Sequence, residues 1–411
     1  MQSLMIDNSK VLLNNCHMEY FRRTLENEIT RAAKGFPAVL LTGPRRSGKT
    51  TLLRHLYPKH EYVLLEDPDV LARAGADPRA FLDALSLPVI LDEIQNLPEL
   101  FPYIRSRIDS DPGKKGLWFL TGSQEAPLMR GVSESMAGRA AVFSLLPLSA
   151  EESPLVSPFL GGFPEALAAP EVADIWFRSY VLTYLERDVR AIAAIRDLVT
   201  FRRFLGLLAT RCGQMLNKTD LAAPLGVSVP TLGQWLSILE ITGQIILVAP
   251  WYENYGKRLV KTPKLYFTDC GLAASLLGIR DEAALAQSPF RGALFESLVA
   301  SEILKYRLGR GLERGLYYFR DRQGLEVDFM VDNGNRRIVL IEAKATRTPM
   351  PDDARPIARL WPSLPASVHA RAFVVCDGAA NGQIPLSPQV RSVSWRGLHK
   401  ALADEQADSA P

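Results

Sequence analysis

The residues Gly43-Pro44-Arg45-Arg46-Ser47-Gly48-Lys49-Thr50 fit the pattern G-x-x-x-x-G-K-[ST] and follow the apolar run Phe36–Gly43. In that setting the pattern is a phosphate-binding loop. Phosphate oxygens need convergent N–H donors. The two glycines let the backbone curl closely enough, and the helix that follows presents its positive end. Nucleotide contacts are expected from Gly43 through Thr51, with Lys49 on the β- and γ-phosphates and the Thr50 hydroxyl on Mg2+. A second group follows in Val89-Ile90-Leu91-Asp92-Glu93, an apolar strand ending in two acids. A carboxylate at a buried strand end is costly unless a cation or hydrogen bonds compensate it. Asp92 is expected to hold Mg2+ through water, and Glu93 to orient or deprotonate an attacking water. ATP and Mg2+ are the expected cofactors.

Further along, Glu296 falls in a helical stretch, Asp328 in the strand-like run Leu325–Val331, and Glu342-Ala343-Lys344 at the end of another. Alternation puts Glu342 and Lys344 on one strand face. Carboxylates around a hard divalent ion, with a lysine to position water or stabilise charge, suit phosphodiester hydrolysis. On this reading Glu296, Asp328 and Glu342 are metal ligands and all four residues are catalytic. The order helix Glu, strand Asp, then Glu-x-Lys resembles the PD-(D/E)XK nuclease superfamily, with Val327 before the Asp where that pattern has Pro. A nuclease-like fold without activity, or solvated charges at strand edges, accounts for the same residues.

Between these groups, Lys218 to about Glu240 gives two short helices split by a Gly-Val-Ser turn, followed by two strand-like runs. This resembles a winged helix, with Val229–Ile241 as the recognition helix. The wing would carry Lys257, Arg258, Lys261 and Lys264 against the single acid Glu253, interleaved with Trp251, Tyr252 and Tyr255. Cations of this kind can neutralise phosphates, and aromatics can pack on sugars or bases. The helix itself offers only Thr231, Gln234 and Ser237, so a double-stranded DNA partner and a protein partner remain equally open.

The elements that must position these groups divide the chain. From Glu19 to Leu148, strand-like runs at Tyr62–Asp67, Leu87–Glu93, Gly116–Ser123 and Val142–Leu148 join the first one and alternate with helical stretches, which implies a parallel sheet covered on both faces. After Glu151 a Pro- and Gly-rich stretch reads as a connection. Helices run from Asp174 to about Arg211, and a third region from Pro289 holds a long helix and four strands. The expected division is 19–150 for an α/β P-loop domain, 151–211 for a helical connection, 212–288 for the winged helix and 289–400 for an α/β nuclease-like domain. The Asn333-Gly334-Asn335 turn is expected to pair the strands that carry Asp328 and Glu342 as a hairpin.

Composition narrows the class. The chain has 411 residues, 48 Lys and Arg against 45 Asp and Glu, a formal charge of +3, and 47% apolar residues. A wholly basic nucleic-acid packing protein is excluded, although a local basic patch is not. Cys16, Cys212, Cys270 and Cys376 are too far apart for a zinc or redox motif. The first residues carry Asp7 and Asn8 inside an apolar stretch and do not read as a signal peptide, and no run of about 18 apolar residues is present. The cytoplasm is the expected compartment, with no membrane association; an oligomer is allowed.

With its phosphate loop, acidic strand and additional strand Gly116–Ser123, the first domain resembles the AAA+ ATPases. That resemblance implies a polar sensor at the end of the additional strand, for which Ser123 matches best and Thr121 and Gln124 stay open. It also implies Arg139 as a sensor or finger arginine, although a surface ion pair explains Arg139 equally well. The aromatic pore loop of a protein-remodelling machine is not evident; Phe101 and Tyr103 read as helix core. Together with Gly161-Gly162-Phe163-Pro164-Glu165, Tyr184–Arg190 and Glu342–Thr346, the chain resembles, from about Glu19 to Asp377, a prokaryotic AAA-like ATPase family whose C-terminal half is a domain of unknown function. The resemblance implies ATP binding, a winged helix and a nuclease-like fold. It leaves two functions: an ATPase controlling a DNA-directed nuclease-like module, or a nucleotide-regulated protein-interaction switch.

Overall fold

The computed structural model describes residues 20–123, 134–185, 197–251, 262–378 and 382–407. The chain is mixed α/β. A parallel-sheet domain comes first, then a helical region, then a second α/β region.

The first sheet comprises β1 (Ala38–Thr42), β2 (Glu61–Leu64), β3 (Val89–Asp92), β4 (Trp118–Thr121) and β5 (Ala140–Ser144), in the order β2-β3-β4-β1-β5 and parallel throughout. Strands β1, β3 and β4 are buried on both faces, as their uninterrupted apolar runs require. Alternation assigns the faces. Ala38 and Leu40 pack with Phe101 and Ile104, whereas Val39 and Leu41 pack with Ile29 and Leu52. Because β4 is inserted between β1 and β3, the ends of all three meet at one edge.

The second sheet has eight strands in the order β12-β13-β11-β10-β9-β8-β6-β7. Here β6 is Ile245–Pro250, β7 Lys264–Phe267, β8 Leu316–Arg320, β9 Glu326–Asp332, β10 Arg337–Lys344, β11 His369–Cys376, β12 Ile384–Pro385 and β13 Val390–Ser394. The β6–β7 hairpin follows the helices Lys218–Ala222 and Val229–Ile241, and β6 also pairs in parallel with β8. The border expected at residue 289 therefore crosses one continuous sheet. Strands β9 and β10 form the expected hairpin, with Gly334, Asn335 and Arg336 all at positive φ in its turn. The strands β12 and β13, the helix Arg355–Leu360 and the helix Leu398–Ala407 were not expected from the sequence.

One helix, Arg291–Gly309, is buried nearly all round. Its charged residues are paired as burial demands. Lys305 Nζ donates to Leu148 O at 2.9 Å and lies 3.2 Å from Glu302 Oε1; Glu302 Oε2 accepts from Ala150 N–H at 2.9 Å and lies 3.2 Å from His399 Nε2. His399 Nδ1 is 2.9 Å from Glu151 Oε2. This helix thus binds the exit of the first domain to the C-terminal helix. Among the described residues, no helix is long and apolar enough to cross a membrane.

Candidate functional site

The loop Gly43–Thr50 leaves the carboxyl end of β1 and enters the helix Lys49–Leu56. Gly43 has φ +139°, and a Cβ there would lie 2.2 Å from Leu145 O, so only glycine lets the loop pass. Lys49 is buried and donates to Gly43 O at 3.0 Å and Pro44 O at 2.9 Å, which curls the loop over its own lysine. Arg23 braces the loop from behind: it donates to Ser47 O at 2.8 Å and Leu146 O at 2.6 Å and pairs with Glu152 at 3.2 Å. Sequence reasoning missed Arg23, since nothing in its neighbours marks it. The Ser47 hydroxyl is buried without a hydrogen-bond partner among the described residues. A glycine-formed cradle, a buried lysine and an unsatisfied hydroxyl together fit a phosphate group.

At the same edge, Thr50 Oγ1 donates to Asp92 at 2.9 and 3.0 Å to its two oxygens. The Tyr62 hydroxyl donates to Asp92 Oδ2 at 2.7 Å, and Thr121 Oγ1 also donates to Asp92. Glu93 N–H in turn donates to Thr121 Oγ1 at 3.2 Å. Glu93 itself has φ +58°, an uncommon conformation for a non-glycine residue, and accepts from Gln95 Nε2. The hydroxyl–carboxylate pair Thr50–Asp92 suits a hydrated divalent ion. Tyr62, from β2, had no sequence signal. Ser123 is buried just beyond β4 at this edge; Gln124 lies outside the described residues.

Arg139 is elsewhere. Its carbonyl accepts from Ala38 N–H, at the amino end of β1, and its guanidinium holds Asp109 at 2.6 and 3.0 Å. The four steps from Ala38 to Thr42 span about 13 Å at about 3.3 Å per residue. Arg139 therefore stands at the opposite end of the strands from its own chain's phosphate loop, paired with Asp109.

The loop's tip meets the second half of the chain. Arg46, at φ +62°, pairs with Glu165 at 3.3 Å; burial pushes the Glu165 carboxyl up, against the pull of Arg46. Tyr180 Oη donates to Arg45 O at 3.4 Å and accepts from Gln244 Nε2 at 3.0 Å. A Cβ on Gly243 would lie 3.0 Å from Pro44 Cγ. Gly161 and Gly162, expected as part of a connection, are packing residues. Gly162 N–H donates to the buried Asp269 carboxylate at 2.7 Å, and a Cβ on Gly161 would collide with the same group.

In the second sheet the four residues of the expected nuclease-like site gather around Asp328. Two steps along β8 (Tyr317 to Phe319) oppose three along β9 (Met330 to Val327), so β9 bulges. Val327 and Phe329 accordingly pack on opposite faces, and Asp328 is re-aimed between them. Asp328 Oδ2 accepts from Ala343 N–H at 2.9 Å, and its N–H lies 3.4 Å from Glu342 Oε1. Lys344 pairs with Glu342 at 2.9 Å. Burial and the Asp328 charge raise both the Glu296 and the Glu342 carboxyls.

Among the described residues no three of His, Cys, Asp and Glu are arranged to hold a metal ion. Besides Lys344, a second cation lies among the acids: Lys264, with its Nζ 3.1 Å from Glu296, 2.5 Å from Glu326 and 3.8 Å from Asp328. Tyr266, on the same strand face, donates to Glu296 at 2.5 Å. Lys264 was expected on the wing against DNA; it is 3% exposed and cannot reach a duplex. The other wing residues Tyr252, Tyr255, Lys257, Arg258 and Lys261 lie outside the described residues, as does most of Tyr184–Arg190.

Three family models match successive segments of the chain. Residues 35–153 match the family model described as AAA domain, residues 158–283 a domain of unknown function (DUF8612), and residues 291–393 another (DUF4143). The uncharacterized proteins Mb2031c of Mycobacterium bovis and Rv2008c of Mycobacterium tuberculosis are each 33% identical over 335 residues, 80% of this chain and 75% of theirs. Among solved structures, the Walker-type ATPase PABY2304 of Pyrococcus abyssi aligns with a TM-score of 0.43 at 17% identity, covering 63% of this chain and 97% of that one. The first domain is an AAA-type P-loop ATPase domain, and the chain belongs to the same family as the two mycobacterial proteins.

Proposed function

We propose that the chain binds and hydrolyses ATP with Mg2+ and uses the nucleotide to set the state of its C-terminal half. The carrying observation is the Thr50–Asp92 pair at 2.9–3.0 Å directly under the phosphate loop. Gly43 through Thr51 would hold the phosphates, with Lys49 turned from the loop carbonyls to phosphate oxygens. Thr50 and Asp92 would hold Mg2+, which when bound neutralises charge developing on the transferred phosphoryl group. Glu93 would accept a proton from the attacking water, held by Gln95 and by the strained backbone at its own position. Ser123 and Thr121 are the sensor candidates. The decisive experiment is ATP binding and turnover by Lys49→Ala. Loss of a charge-assisted hydrogen bond worth about 1.5–3 kcal/mol should weaken nucleotide binding about 10- to 150-fold. Wild-type affinity and turnover in that variant would end the reading.

Two contacts support coupling: Arg46 with Glu165, and Pro44 with Gly243. Of the two downstream roles, the seated Lys264 favours an interaction switch whose nuclease-like acids serve structure. The exposed face of Val229–Ile241, which presents Val229, Pro230, Gln234 and Ser237 and no cation, favours a protein over a duplex as the partner of that helix. The order helix, three antiparallel strands, helix and parallel strand over residues 291–376 supports a nuclease-like ancestry for the fold. Incubation with plasmid and Mg2+ or Mn2+, with and without ATP, separates the roles: cleavage restores the nuclease reading.

A further inference from the structure

A cleft of about 1210 Å3 opens in the second half and shares no residue with the phosphate loop or the acid cluster. Three mutually parallel strands, β10, β11 and β13, point their carboxyl ends at it. The residues just past those ends form its wall: Ala345 and Arg347 after β10, Asp377 and Gly378 after β11, Trp395 and Arg396 after β13. In parallel sheets ligands collect at such ends, because the chain leaves the sheet there and frees its loops for recognition.

The lining is amphipathic. Phe159, Leu285, Phe295 and Val393 give it an apolar floor. Around them stand Arg291, Arg347, Arg391, Arg396 and Lys400, against the acids Glu282, Asp377 and Asp404. Most of the arginines are spoken for: Arg291 by Asp377 at 3.3 Å, Arg391 by Gln383 at 3.2 Å, and Arg396 by the carbonyls of Pro154 and Val156 at 3.2 and 2.9 Å. Arg347 and Lys400 are different. Among the described residues neither has an ion-pair or hydrogen-bond partner. The backbone holds Arg347 at the rim. Asp377 N–H donates to Thr346 O at 2.9 Å, and Gly378 packs so closely that a Cβ on it would lie 2.6 Å from Arg347 O.

Two uncommitted cations over an apolar floor, at the carboxyl ends of parallel strands, match a ligand with a flat apolar body and an attached phosphate. We propose that this cleft binds a nucleotide through its phosphate, with Arg347 and Lys400 on the phosphate oxygens and the base on the apolar floor. The volume exceeds the roughly 300–1,000 Å3 of ordinary small-ligand pockets, so a nucleotide at the end of a single strand fits as well as a free one. The cleft is a site apart from the ATPase site, and the proposal stands whether or not the phosphate loop turns over ATP.

The test is fluorescence anisotropy of a labelled, 5′-phosphorylated (dT)8 on the full chain and on Arg347→Gln/Lys400→Gln. Both side chains are exposed, so their loss leaves the core intact. The double variant should bind at least fivefold more weakly. The slope of log K against log salt should fall by up to about 1.4, at about 0.7 per single-strand phosphate contact. Competition in a Lys49→Ala background identifies the source. Displacement by AMP assigns a free nucleotide, and displacement by unlabelled (dT)8 alone assigns a strand end. Failure of the wild-type chain to bind either probe, or equal binding by the double variant, overturns the proposal.

Discussion

The Lys264 ammonium lies 3.1 Å from Glu296 Oε1, inside an acid cluster rather than on the surface that its cation-rich neighbours suggest. Removing one partner of a buried ion pair leaves the rest uncompensated and typically costs about 3–5 kcal/mol. Lys264→Met should therefore lower the unfolding midpoint strongly. It also removes the ammonium from among Glu296, Glu326 and Asp328, so Mn2+ should raise the variant's midpoint by more than it raises the wild type's. At a hundred times its dissociation constant the ion would return about 2.7 kcal/mol. A variant indifferent to Mn2+ would mean that these acids do not form a cation site even when cleared.

Glu93→Gln keeps the side chain's shape but removes its ability to accept a proton. Hydrolysis should slow by about 10²–10⁴ while ATP binding persists. Single-turnover kinetics with equilibrium binding on the same sample separates the two. Turnover at the wild-type rate would assign the water to another group.

The Arg46–Glu165 pair is half exposed and worth little to stability, about 0–1 kcal/mol. Glu165→Gln should thus melt near the wild type. If the pair carries nucleotide state to the second half, ATP-dependent protection of residues beyond 165 from limited proteolysis should shrink in the variant. Undiminished protection would remove this contact from the coupling.

Buried ion pairs around the Arg291–Gly309 helix give stability a defined pH dependence. Burial alone would lower the His399 pKa, but its bonds to the Glu151 and Glu302 carboxylates raise it to about 9. A raised pKa means the folded state holds the proton more tightly, so this contribution is complete below about 6.5 and is lost as pH rises through about 9. Burial opposes ionisation of Glu302, yet Lys305 and His399 bring it down to about 2, so its contribution is complete above about 4.5 and is lost as pH falls toward 2. Urea midpoints should show the gap between wild type and His399→Gln widest near pH 6 and closing by pH 10. A gap independent of pH would leave His399 as a packing residue only.

The phosphate loop was legible because its chemistry dictates backbone: closely approached glycines and a following helix leave few alternatives. Asp92 and Glu93 were legible because acids ending an apolar strand need a reason. Which end of the sheet Arg139 borders was not legible, because a sequence shows that a residue borders a strand, not which end that border faces. Lys264 was misplaced because a run of cations reads as solvated surface. The signal was present in Lys264-Leu265-Tyr266-Phe267, where alternation sets Lys264 and Tyr266 on one face, both toward Glu296. The bulge at Asp328 had no such signal. It arises from β8 and β9 falling out of step, which neither strand announces alone. The cleft was invisible for a similar reason, since its walls come from residues 157 to 404.

The pairing of His399 with Glu151 spans 248 residues. During synthesis Glu151 leaves the ribosome well before its partner exists, by about 12–50 s at about 5–20 residues per second. Glu302 must likewise wait for one of its two cationic partners. The first domain can complete its parallel sheet in that interval, and Lys305, Glu302 and Arg310 can hold its exit at Leu148, Ala150 and Glu151 before His399 arrives. The completion of this ion-pair network is therefore timed by residue 399, and a nascent chain stalled short of it would carry the Glu151–Arg310 pair without its histidine.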